Sequence, residues 1–191
     1  MFRLHDLSLH ILDLIENSLF AKATVISLTL GINKNLDEMK IRVEDNGEGF
    51  KVTPEQALNP FYTSRKTKKV GLGLSFFKTA AEMAGGGLLV LSSGNFRGAV
   101  VEARMKLSHV NRPPLGDLPA TMSMVIFANP GVDFGLTMES PNRSSFFQLS
   151  AFLKEKDLNT QANVEVAEMV REALTAELKW WNENELSRWT P

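Results

Sequence analysis

Hydrophobic residues recur with two different periods in the first half of the chain, and each period predicts one kind of element. Leu7, Ile11, Leu14 and Ile15 follow helical spacing and predict an amphipathic helix over residues 6–21. Alternation of apolar and polar residues predicts two strands with one buried face each, at Ile26, Leu28 and Leu30 and at Met39, Ile41 and Val43. Further along, the pattern predicts a helix over about 74–84 and strands over 88–93 and 99–107. These elements indicate an α+β fold.

Two consecutive prolines, Pro113 and Pro114, interrupt this pattern because proline lacks a backbone N–H donor. The elements predicted after them are a helix over 118–128, strands over 132–138 and 144–149 around a turn at 140–142, and a helix over 164–186. The apolar stripe of the last helix is expected to pack in a core. We therefore expect a domain over 1–108, a linker over 109–115 and a small α+β C-terminal extension over 116–191, which serves packing or partner contact.

Candidate chemistry begins where the second strand ends, at Asp45-Asn46-Gly47-Glu48-Gly49. A carboxylate at this position can accept a hydrogen bond from an exocyclic amino group such as that of adenine. Gly47 and Gly49 leave no side chain to block a flat ring. An ordinary tight turn has the same composition, and taken alone this segment is more often such a turn.

The first helix adds polar residues at helical spacing, since His10, Asp13 and Asn17 share one face. The amide oxygen of Asn17 can bind Mg²⁺, a hard cation that uses few protein oxygens together with phosphates. Asp13 lies one turn earlier, within reach of the same metal shell. The alternative is an amphipathic helix with a solvated polar face.

A third segment, residues 70–75, places Gly71 and Gly73 before the predicted helix at 74–84. Backbone N–H groups at the start of a helix bind phosphate, and the helix dipole adds to the attraction. Four basic residues lie just upstream, where a polyphosphate would extend, although such a stretch is often only solvated surface: Arg65, Lys66, Lys68 and Lys69.

Four segments together resemble the GHKL ATPases, the superfamily of gyrase, heat-shock chaperones, histidine kinases and MutL. Residues 11–18 are similar to its N box, 45–49 to the G1 box, 59–64 to the F box and 71–74 to the G2 box. The resemblance covers about residues 4–107. The N box is also MutL-like, whereas residues 59–74 are closer to sensor histidine kinases.

The resemblance implies a Bergerat fold, a two-layer sandwich in which helices cover one face of a mixed sheet and enclose ATP. It implies that Asn17 holds Mg²⁺ and that Asp45 binds the adenine amino group. The remaining residues expected at the nucleotide are Gly47, Gly49, Phe50, Thr63, Lys66, Lys68, Lys69, Gly71, Leu72, Gly73 and Leu74.

Departures from the family pattern affect the reaction more than binding. Hydrolytic members usually carry a glutamate four residues before the asparagine, and here that position is Asp13, a shorter candidate general base. Ala99 stands where a hydroxyl residue is common. Too few residues precede the N box for a phosphoacceptor hairpin, so any phosphotransfer would act on another protein.

Three functions follow from the resemblance. The first is a regulatory or signalling kinase that phosphorylates a partner on serine or histidine, and the second is an ATP-sensing module whose segment 51–70 orders around nucleotide. The third is a MutL-like ATPase gated by dimerisation. The kinase-like F and G2 boxes favour the first two, and whether the protein is an enzyme stays open.

Composition restricts the surroundings of the protein. The chain has 191 residues and no cysteine, so it cannot form a disulfide framework. Its formal net charge of −1 gives no general attraction to nucleic acid. No apolar run approaches the roughly 20 residues that span a bilayer. We expect a cytoplasmic protein that binds ATP and a protein partner, does not insert into membranes, and is compatible with a homodimer.

Overall fold

The computed structural model describes residues 6–50, 52–59, 72–92, 98–158 and 163–181. Its helices are α1 (Leu7–Phe20), α2 (Pro54–Ala57), α3 (Leu72–Met83), α4 (Leu118–Ala128), α5 (Leu149–Glu155) and α6 (Val164–Trp181). Its strands are β1 (Val25–Asn33), β2 (Glu38–Asp45), β3 (Gly87–Ser92), β4 (Ala99–Lys106), β5 (Asp133–Ser140) and β6 (Arg143–Gln148).

The six strands form one mixed sheet in the order β3-β4-β2-β1-β5-β6. β1 and β5 pair in parallel, and the other neighbours are antiparallel. In this register Leu28 of β1 lies between Val43 of β2 and Leu136 of β5, and all three side chains are at most 2% exposed. The apolar face of the sheet therefore continues across strands from both halves of the chain.

Helices cover this apolar face and complete the α+β fold expected from the sequence. The predicted stripe of α1 is buried in the core, with Leu7, Ile11 and Ile15 fully covered. Asp6 caps the helix by accepting a hydrogen bond from the backbone N–H of Leu9 at 3.1 Å. Lys22 follows the helix with a φ of 60°, a left-handed conformation that turns the chain towards β1.

The other face of the sheet carries paired charges. Glu102 accepts hydrogen bonds from Nε of Arg104 at 2.8 Å and from Nη1 of Arg42 at 3.5 Å. Burial alone would raise the pKa of Glu102, but these bonds and the charge of Lys40 outweigh burial, so the pKa lies below its ordinary value. The ionised carboxylate is therefore part of the folded structure.

Glu102→Gln is expected to lower the free energy of unfolding by about 0.5–1 kcal/mol near neutral pH, the range of partly exposed ion pairs. A carboxyl with a lowered pKa stabilises the fold above its unfolded-state pKa, and this contribution is lost as the pH falls through the folded-state value. In urea unfolding at decreasing pH, the free energies of unfolding of the wild type and of Glu102→Gln should converge. The exposed Glu172→Gln is the control. A deficit that acid leaves unchanged would contradict the ion-pair explanation.

The helices and strands that follow Arg112 share this sheet and this helical layer. The backbone N–H groups of Leu7 and Ser8, at the start of α1, donate to the carbonyls of Pro114 and Leu115 at 2.9 Å each. α4 packs between α1 and α6, and the predicted stripe of α6 is buried through Trp181, which is 0% exposed. The linker expected at 109–115 stays a prediction, because a shared sheet does not decide which segment folds alone.

Several features differ from the sequence pattern. The helix expected from residue 74 begins at Leu72, so Gly73 lies inside its first turn and not before it. The strand expected over 144–149 ends at Gln148, because α5 starts at the next residue. The carboxylate of Asp133 holds this helix start by accepting hydrogen bonds from the backbone N–H of Ser150 at 3.0 Å and from the Ser150 hydroxyl at 2.8 Å. His10, expected on the polar face of α1, is 4% exposed and stacks on Phe77 of α3 with ring centroids 5.0 Å apart. Packing between α1 and α3 therefore covers part of that face.

Candidate functional site

Asp45 ends β2 with a buried carboxylate that three donors hold in place. Its Oδ2 accepts a hydrogen bond from the Ser18 hydroxyl at 2.7 Å. Its Oδ1 accepts from the backbone N–H of Gly47 at 2.8 Å and, at 3.4 Å, from that of Ala99. The residue is 7% exposed. A carboxylate offers about four acceptor directions, and the described residues fill three of them, so among these residues one direction remains for a donor on a ligand.

Ser18 is a site residue that sequence reasoning did not select. It follows Asn17 directly on α1, is 4% exposed, and connects that helix to Asp45 across 27 residues of sequence. The available signal was a hydroxyl residue beside the metal-binding candidate. Its relevance depends on which face of α1 meets the end of β2, and that is a tertiary property.

The glycines around Asp45 allow backbone segments to approach closely. A Cβ on Gly98 would lie 1.8 Å from the carbonyl oxygen of Asp45, and one on Gly47 would lie 2.6 Å from the carbonyl oxygen of Ala21. Gly49 has a φ of 71°, in the left-handed region. Side chains at these positions would push apart the segments that hold Asp45.

An ion pair at the surface joins the same segments. Nζ of Lys22 lies 2.6 Å from Oε1 of Glu48, and the backbone N–H of Glu48 donates to the carbonyl of Ala21 at 2.8 Å. The hydrogen bond and the charge of Glu48 raise the pKa of Lys22. The Lys22 side chain is 80% exposed, so the pair contributes little to stability.

Asp13, in the middle of α1, lies against Gly73 of α3. A Cβ on Gly73 would lie 3.2 Å from Oδ2 and 3.2 Å from Cβ of Asp13. Gly73 is in the first turn of α3, so a carboxylate lies beside a helix start, where the dipole favours negative charge. Asp13 and Ser18 are five residues apart, which is about 7.5 Å along the helix axis. One helix thus connects the Asp45 end of the site to the start of α3.

The other predicted residues have different places. Phe50 is half-buried and packs against the core, and Leu74 is itself a core residue at 9% exposure. Leu72 begins α3. Thr63, Lys66, Lys68, Lys69 and Gly71 lie outside the described residues.

Within the described ranges, no group of three or more His, Cys, Asp or Glu side chains could hold a metal ion by itself. A cation here would need ligand and water oxygens in addition to Asn17, which suits Mg²⁺. None of the helices within these ranges is both long and apolar enough to cross a bilayer.

Comparison with known families agrees with this geometry. Residues 4–109 match the family described as histidine kinase-, DNA gyrase B-, and HSP90-like ATPase. This match spans more than half of the chain, and the protein therefore belongs to that family. The family match identifies an ATP-binding domain of the GHKL type, as the four boxes indicated.

Among similar solved structures, one with a TM-score above 0.5 supports the fold. The N-terminal domain of a DNA repair protein superposes with a TM-score of 0.51 at 14% identity, over 74% of this chain, and the chain spans only 51% of that structure. The Aquifex aeolicus MutL ATPase domain complexed with ADP gives 0.43 at 19% identity, covering 86% of this chain and 68% of that one. The catalytic domain of histidine kinase ThkA gives 0.38 at 20% identity, covering 51% and 64%. A search of curated proteins found no match.

Proposed function

We propose that the protein binds Mg-ATP along α1 and acts as a histidine kinase-like regulator that transfers the γ-phosphate to a partner protein or switches that partner. The observation that carries the proposal is that α1 contacts two candidate ligand-binding ends. Ser18 bonds to Asp45 at one end, and Asp13 lies against Gly73 at the other.

The Asp45 end suits the base. The remaining acceptor direction of the carboxylate can take a hydrogen bond from the 6-amino group of adenine, and bonds to a charged acceptor are stronger than neutral ones. The glycines at 47 and 49 leave room for the backbone of Ala21 and Gly98, so the turn beside the carboxylate can pack closely against these segments.

The α3 end suits the phosphates. N–H groups at the start of a helix attract anions, and Asn17 lies one turn after Asp13 on the same helix. The amide oxygen of Asn17 would hold Mg²⁺, which would neutralise phosphate charge when bound. The carboxylate of Asp13 can accept a proton from a water or a hydroxyl at this end.

Slow hydrolysis is a second candidate function, favoured by the contact between Asp13 and Gly73. In the proposed site this contact would put a carboxylate beside the γ-phosphate, although aspartate has a shorter reach than the glutamate of hydrolytic relatives. Proton transfer requires hydrogen-bond reach before any match of pKa. Transfer to a partner or retention of ATP therefore competes with attack by water.

A radiolabelled γ-phosphate assay against host lysate separates these functions. Label on a partner protein supports the kinase, free phosphate supports the hydrolase, and bound ATP with neither supports the sensor. Asn17→Ala is expected to weaken Mg-dependent binding at least about tenfold, which corresponds to about 1.4 kcal/mol. Asn35→Ala is the matched control, because Asn35 is an exposed asparagine just after β1, at the end of that strand away from Asp45.

Asp13→Asn tests the candidate base. The variant should bind ATP normally and lose turnover by about 100-fold or more, because general-base catalysis typically contributes that much. Glu16→Gln, which neutralises an exposed carboxylate one turn later, should change neither quantity. Equal turnover in Asp13→Asn and the wild type would remove Asp13 from the reaction, and failure of the wild type to bind ATP would refute the proposed function.

A further inference from the structure

Asn46 makes an unusually complete set of bonds for an exposed residue. Its Oδ1 accepts hydrogen bonds from the backbone N–H groups of Thr24 and Val25, both at 2.9 Å. Its Nδ2 donates to the Thr24 hydroxyl at 2.9 Å. Its backbone N–H donates to the carbonyl of Val25 at 3.3 Å. One side chain thus connects the turn that follows β2 to the turn that precedes β1.

The two N–H donors determine the orientation of this amide. Only the carbonyl oxygen can accept from both Thr24 and Val25, which directs the NH₂ group of Asn46 towards the Thr24 hydroxyl. All three bonds therefore depend on one side-chain orientation. An alanine at this position would make none of them.

The three side-chain hydrogen bonds of Asn46 form a clamp, and the position of this clamp beside Asp45 relates it to recognition of the base. Asn46 lies between Asp45 and Gly47, and the N–H of Gly47 is one of the donors that orient the Asp45 carboxylate. The conformation of residues 45–47 determines where that N–H points. Holding Asn46 against Thr24 therefore holds the carboxylate in the direction in which the amino group of a base must approach.

We propose that Asn46 is a positioning residue for recognition of the base, acting through Asp45 without touching the nucleotide. This inference rests on the proposed ATP site. Because Asn46 is exposed and water can replace its bonds, its loss should change specificity more than stability. The consequence is measurable as discrimination between nucleotides that differ only in the 6-amino group.

The experiment compares the affinities of ATP and of purine riboside triphosphate, which lacks that amino group. The wild type should prefer ATP by about tenfold or more, as expected for one hydrogen bond to a carboxylate. Asn46→Ala should reduce the preference to about twofold. Asn46→Asp should restore most of it, since a carboxylate can accept from both N–H groups and from the Thr24 hydroxyl.

Lys22→Ala is the matched control, because it removes the exposed ion pair between the same two turns without touching the clamp. It should keep the wild-type preference. If Asn46→Ala fails to fold, the isosteric Thr24→Val, which removes one bond of the three, should give a partial loss of preference.

The possible outcomes separate failure of the proposed role of Asn46 from failure of the proposed ATP binding. An unchanged preference in Asn46→Ala, or an Asn46→Asp variant that is no better than Asn46→Ala, would overturn the inference. A wild type that binds both nucleotides equally would refute the contact between Asp45 and the base, and the inference with it. A wild type that binds neither would refute the proposed function itself.

Discussion

Asp45→Asn should weaken ATP binding by at least about 100-fold, which corresponds to about 2.7 kcal/mol. The loss has two causes. An amide lacks the charge that strengthens the bond to the adenine amino group. It also presents an NH₂ group in place of one acceptor, so either the bond to the Ser18 hydroxyl must reverse its direction or the backbone N–H groups of Gly47 and Ala99 must face another donor.

Isothermal titration with ATP measures this loss, and Asp37→Asn is the matched control. Asp37 also accepts hydrogen bonds from a backbone N–H and a serine hydroxyl, both of Ser108, at 2.9 and 2.8 Å. It immediately precedes β2, at the end of the strand opposite Asp45. Asp37→Asn should bind ATP as the wild type does. Wild-type affinity in a folded Asp45→Asn protein would refute the site.

The second large effect is expected from truncation. A chain that ends at Arg112 should lose cooperative unfolding, because β1 would lose its parallel partner β5 and α1 would lose α4. It would also lose the two carbonyls that accept from the start of α1. The core side chains lost with the segment include three from β5, each 1% exposed: Phe134, Leu136 and Met138.

Circular dichroism during thermal unfolding tests this expectation. A matched pair of point variants tests it without truncation, since neighbouring residues of β5 face opposite sides of the sheet. Leu136→Ala, at 1% exposure, should lower the free energy of unfolding by about 2–5 kcal/mol. The half-buried Thr137→Ala should cost about 0.5 kcal/mol or less. A truncated chain that melts cooperatively and binds ATP would establish residues 1–112 as an autonomous domain.

Much of the fold follows from local pattern. The helical spacing of Leu7, Ile11, Leu14 and Ile15 placed α1 within one residue of each end, because one buried stripe and the Asp6 cap suffice to define it. The alternation over β1 and β2 was equally informative, since each strand buries one face. The helices α2 and α5 were not predicted, because such short helices depend on contacts beyond their own residues.

The sequence identified the candidate site only as separate segments. The carboxylate at the end of β2 and the glycines after it carry a recognisable chemistry, and the family match covers them. Ser18 and Asn46 carry no such signal, since serine and asparagine are common in helices and turns. Their importance lies in bonds to residues 27 and about 22 positions away.

The sequence by itself therefore determined the longer elements of the first half, the family and the chemical types of the candidate residues, because periodicity and short motifs are local properties. Only the tertiary structure decided that β5 joins β1 in a shared sheet. It also decided that Ser18 holds Asp45, and that Asp13 lies against Gly73. The physical reason is that pairing and burial depend on contacts between distant segments, which a local pattern permits but does not specify.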